Sequence, residues 1–111
     1  MRGQDQIIQN RMDGKAPSIV FVNDYPCKTD WFEHGEQATI CTHKDALRNL
    51  DMRFLVGLRV SISALSEERA KSLFERVKAS GATTVAACHM QASQHATNQT
   101  GWARVWHKEA A

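Results

Sequence analysis

The chain has 111 residues, 42% of them hydrophobic and 23% charged, with 14 Lys and Arg against 12 Asp and Glu for a formal net charge of +2. That length carries one domain with a real hydrophobic core, and that composition excludes disorder for the bulk of the chain. So small a cationic excess, with no dense basic run, excludes the strongly basic class of nucleic-acid binder while leaving room for a local patch.

Taken in chain order, the opening MRGQDQIIQNRM has no apolar stretch of signal-peptide length. The longest aliphatic or aromatic run, residues 19–22, falls far short of a membrane span. The expected location is therefore the cytoplasm, with no membrane partner, and Cys27, Cys41 and Cys88 are expected to be free thiols in a reducing compartment. Residues 4–13 suggest a short helix with a narrow stripe of Ile7, Ile8 and Met12, ended by Gly14. SIVFVN follows Pro17 and reads as a strand covered on both faces.

DYPCKTDWFEHGEQ, residues 24–37, is the least regular part, rich in acidic side chains and carrying Trp31 and Phe32 side by side. A loop of this length is functional or pinned by its own aromatics. ATICTH over 38–43 reads as a strand, and KDALRNLD as one or two helical turns. RFLVGLRVSIS over 53–63 alternates without a break, with Phe54, Val56, Leu58, Val60 and Ile62 on one face and Gly57 marking a bulge or bend.

SEERAKSLFERVKASG is the clearest helix. Ser66 caps it, Glu67 and Glu68 complement its dipole, Ala70, Leu73, Phe74 and Val77 form the buried face, and Gly81 ends it. Glu68, Arg69, Lys71, Glu75, Arg76 and Lys78 read as a solvated outer face. ATTVAACHM over 82–90 is a further strand, QASQHATNQT a polar loop, and GWARVWHK over 101–108 the closing strand.

These elements predict a single α+β domain over 1–111. It has one mixed or antiparallel sheet of four or five strands and two main helices packed on one face. The expected core includes Ile19, Phe21, Phe54, Val56, Leu58, Val60, Ile62, Leu73, Phe74, Val77 and Val85.

The closing strand carries the main functional hint. On a pleated strand Trp102, Arg104 and Trp106 project to one side, and Ala103, Val105 and His107 to the other. Guanidinium groups stack on indole faces, and tryptophan and arginine are enriched in interface hot spots. One interpretation is an exposed platform for a protein, a second copy of the chain, or nucleobases. The other is that both rings cover the sheet edge while Arg104 snorkels over them. Small side chains at Ala103 and Val105 suit a face packed under a helix, which turns the tryptophan face away from the helices. The expected contact surface joins Trp102, Arg104 and Trp106 to the loop around Trp31 and Phe32, with Arg59, Arg53 and Lys108 adding charge on the same side.

A second hint lies in the thiols and imidazoles. Cys27, His34, Cys41 and His43 could make a metal site or a thiol-dependent enzyme, but the tight C-x2-C or H-x3-H pairs typical of zinc are missing. G-x-S-x-G, H-E-x-x-H, the P-loop and G-x-G-x-x-G are also missing, so no cofactor is expected. The acidic residues Asp24, Asp30, Glu33 and Glu36 suit a cation or acid–base chemistry, or simply a solvated loop.

Residues 58–108, LRVSIS through SEERAKSLFERVKASGATTVAAC to GWARVWHK, resemble half of a vicinal-oxygen-chelate (glyoxalase-like) module in their order of strand, helix with an LF pair, glycine and further strands. The resemblance covers less than half of the chain. Ser61 and Ser63 stand where such enzymes carry metal ligands, and the module's closing strand is missing. The expected function is thus a small non-enzymatic binding or adaptor protein. A Cys/His metal or thiol enzyme and a single-stranded nucleic-acid module are the alternatives.

Overall fold

The computed structural model describes residues 3–26, 31–34, 36–42, 52–90 and 100–109. In order these form α1 (Gly3–Met12), β1 (Ile19–Asp24), β2 (Trp31–His34), β3 (Gln37–Cys41), a 3-10 turn (Arg53–Leu55), β4 (Arg59–Ala64), α2 (Glu67–Ala79), β5 (Thr84–Met90) and β6 (Thr100–His107). The helical turns expected in KDALRNLD, and all but the last residue of the loop expected over 91–100, lie outside the described residues.

The strands make one mixed sheet in the order β2-β3-β1-β4-β5-β6. The inner strands β3, β1, β4 and β5 run parallel, and β2 and β6 flank them antiparallel. The α+β class is as the patterning predicts. The sheet gains its sixth strand from β2, a four-residue segment inside the stretch that reads as a loop.

One face of the sheet holds the core. Val20 and Val22 of β1 stand level with Val60 and Ile62 of β4, which stand level with Val85 and Ala87 of β5, and all are buried. Ala38 and Ile40 of β3 extend this face, and Ile7 from α1 joins the same cluster as Leu73, Phe74 and Val77 from α2. Both helices therefore cover the same side. Burying each large side chain contributes about 1.5–3 kcal/mol, and this apolar face holds the helices to the sheet.

α2 forms as its pattern dictates. The Ser66 side chain accepts the Arg69 N–H at 3.4 Å, and Ala70, Leu73, Phe74 and Val77 are buried.

Other expectations fail for local reasons. Ile19 and Phe21 are half-buried on the helix-free face, because a four-residue apolar run fixes no parity and register with β4 turned Val20 and Val22 inward. The long strand over 53–63 begins only at Arg59. Gly57, at φ +76°, turns the chain before it and donates its N–H to the Gly81 carbonyl at 2.9 Å. That turn buries Leu55 and leaves Val56 half exposed. Gly81, at φ +95°, lies so close to Val56 that an added Cβ would sit 2.9 Å from its Cγ2. Of the α1 stripe only Ile7 is buried, and Met12 is 77% exposed.

Candidate functional site

β6 lies at one edge of the sheet and pairs with β5 from Thr84 opposite His107 through His89 opposite Trp102, with an irregularity only between His89 and Met90. The Lys108 N–H donates to the Thr83 carbonyl at 2.9 Å just beyond the strand. Ladder bonds alternate along an antiparallel strand. The backbone groups of Trp106, Arg104 and Trp102 therefore turn toward β5, and those of His107, Val105 and Ala103 turn away from the sheet. No further strand pairs with them among the described residues.

The side chains correct the expected orientation. Trp106 stands level with Val85 and Arg104 with Ala87, so the tryptophan side of β6 is the core side. Both indoles are half-buried and pack against the core cluster. The Trp102 ring meets Phe74 of α2 edge-on, with centroids 5.7 Å apart and planes at 86°. Lys71 Nζ lies 6.0 Å above Trp102, and Lys78 Nζ lies 5.5 Å above Trp106 and 5.2 Å above Phe74.

The rings thus buttress the edge beneath the amphipathic helix and do not form a free stacking platform. Arg104 is exposed between them. Ala103 and Val105, expected under a helix, lie exposed on the helix-free face, Val105 at 62%. Odd and even side chains of β6 do lie on opposite faces, but the small ones face away from the helices. Large rings were needed at this edge to complete the core beside Phe74.

The other expected contributors do not converge on β6. β2, which carries Trp31 and Phe32, is the opposite edge strand, five inter-strand spacings away, or roughly 24 Å at about 4.8 Å each. The side chains of Trp31, Phe32 and His34 lie outside the described residues. Arg59 is exposed but stands level with Thr84 and, through it, His107, on the face opposite Arg104. A single surface joining both strands is not what the sheet order builds.

The Cys/His constellation is also revised. Cys41 is disulfide-bonded, whereas Cys88 keeps a free thiol. A disulfide sulfur is neither a thiolate ligand nor a nucleophile. Such bonds persist mainly in oxidising compartments, so the cysteines no longer argue for a reducing one. Cys27 and His43 lie outside the described residues. Among the described residues no group of three or more His, Cys, Asp or Glu side chains could hold a metal, and no helix is long and apolar enough to cross a membrane.

One polar cluster escaped the sequence reading. Parallel sheets commonly bind ligands outside the carboxyl ends of adjacent strands whose connections diverge. Here β1 leads to β3 on one side and has β4 on the other, and Asp24 ends β1 at that place. Its carboxylate is buried and already taken. Arg69 of α2 donates to it through Nε, and through Nη2 at 2.8 Å, while the Thr42 hydroxyl donates at 2.9 Å. Asp24 therefore belongs to a structural lock between α2 and the sheet, not to a loop of solvated carboxylates. No sequence spacing links residues 24, 42 and 69. His89 Nδ1 is buried with no hydrogen-bond partner among the described residues.

No protein-family model matches this chain, and no curated protein or solved structure matches it.

Proposed function

We propose that this chain is a small non-enzymatic binding module that takes up a β-strand along the outer edge of β6. The observation that carries the reading is the regular ladder from Trp102 to His107. It leaves the N–H and C=O groups of Ala103, Val105 and His107 directed outward. A row of unpaired backbone groups is a template for another strand. Added strands gain affinity from main-chain bonds and specificity from alternate side chains. Natural edges are often blunted by proline, lysine, bulges or shortness. β6 has eight residues, no proline and no lysine within its span, and its one register shift lies beyond Trp102, at the His89/Met90 end.

A protein partner suits this edge better than single-stranded nucleic acid. Base stacking needs open aromatic faces, and the indoles here are engaged by Phe74, Lys71 and Lys78.

Amide hydrogen exchange in dilute solution tests the reading. The amides of Trp102, Arg104 and Trp106 should be protected, and those of Ala103, Val105 and His107 should exchange at least ~100-fold faster. Equal protection of both sets in the dilute monomer would mean that the edge is already covered, and the reading would fail.

A further inference from the structure

We propose that the strand taken up by β6 is the β6 of a second copy of this chain. The two would pair antiparallel about a twofold axis at Val105 and join the two sheets into one. The inference rests on the open-edge reading above and names its partner.

A twofold axis perpendicular to the sheet pairs two copies of one edge strand antiparallel and keeps both helix layers on the same side. Backbone bonds close only when outward-facing residues oppose outward-facing residues, here the odd-numbered ones. The even-numbered residues then form the non-hydrogen-bonded pairs, whose side chains approach most closely. Every register centred on a residue satisfies this condition, and four lie near the middle of the ladder; centring on Trp106 sets Arg104 opposite Lys108, like charge against like.

Centring on Arg104 sets that arginine opposite its own copy, and like charges directly opposite are unfavourable. Centring on Ala103 sets Arg104 opposite Trp102 but leaves Lys108 unmatched. Centring on Val105 sets Arg104 opposite Trp106, and Lys108 opposite Trp102, each pair occurring twice. Every cation on this side of the strand then lies opposite an indole of the other copy, and none opposes another cation. On the helix-free face the exposed Val105 meets itself, while Ala103 faces His107. The spacing W-x-R-V-W-x-K is thus self-complementary. With a net charge of only +2 per chain, long-range repulsion between copies is small.

Sedimentation across a concentration series, combined with cysteine scanning, tests the pairing. The native chain should show a reversible twofold rise in mass, accompanied by slower exchange at the Ala103 and Val105 amides. In a Cys88→Ser background, Val105→Cys should cross-link between copies under diamide faster than Ala103→Cys or Arg104→Cys, because only it sits on the axis. Hydrogen-bonded partners lie about 5.5 Å apart at Cα, within disulfide reach. Val105→Pro removes an outward N–H and should abolish the mass rise, with near-ultraviolet circular dichroism confirming the fold. Arg104→Glu leaves the backbone intact and should weaken association roughly tenfold.

A chain that stays monomeric at the highest attainable concentration, with fast outward amides, would overturn self-pairing and leave the open-edge reading standing. Faster cross-linking from Ala103→Cys or Arg104→Cys, or a dimer that survives Val105→Pro, would also overturn it.

Discussion

Two arginines mark the two contrasting regions of this molecule. Arg69 looks in sequence like one charge among several on the outer face of α2, yet its guanidinium closes on a buried aspartate at the end of β1. Arg104 looks like the centre of an aromatic ladder, yet its side chain is exposed at the edge while the flanking rings pack against the core, Trp102 edge-on to Phe74. The first region is finished within the chain: both carboxylate oxygens of Asp24 are bonded. The second is finished on one side only, with indoles packed beneath it and, among the described residues, no strand beyond. The contrast shows that a charged side chain's role follows from what the fold places opposite it, and spacing along the sequence says little about that.

The largest expected effect tests whether α2 and β6 are tied through one ring. Phe74→Ala removes a buried aromatic that packs the core and meets Trp102, and should cost about 3–5 kcal/mol in urea or guanidinium unfolding. A loss under about 1 kcal/mol would mean that β6 is held independently of the helix.

Next is the closed region. Arg69→Ala leaves the Asp24 carboxylate buried without its cation, and breaking such a pair costs about 3–5 kcal/mol. Because the Arg69 side chain is 32% exposed, a value near the lower bound is expected. The double variant Asp24→Asn with Arg69→Ala should recover part of that loss, since the stranded charge is gone, and chemical denaturation of both variants checks this.

The smallest effect belongs to the open region. Arg104→Ala should change stability by no more than about 0.5 kcal/mol, although it removes a charge from the contact edge. Equal losses for Arg69→Ala and Arg104→Ala would erase the distinction between a region closed by its own chain and one left open.

Much of the architecture was legible. Helix α2, from its Ser66 cap to its four buried apolar side chains, follows from a period of 3.6 and from end chemistry that acts within one turn. The alternation of β6 was legible too, since pleat geometry requires only the residues themselves. Less local features were not. The short edge strand Trp31–His34 has only its pairing with β3 to define it. The inward face of β1 was decided by register with β3 and β4.

What the sequence determined by itself, then, was where most of the helices and strands lie, β2 and the turn before β4 excepted, and which side chains on each segment share a face. Both depend on short-range sterics and hydrogen bonding. Only the tertiary structure decided which face meets the core, that Trp31 and Trp102 belong to opposite edges, that Asp24 and Arg69 meet across 45 positions of chain, and that one long edge has no neighbour among the described strands. These outcomes come from the order in which strands assemble, and burial and pairing energies that select this order act between residues far apart in the chain.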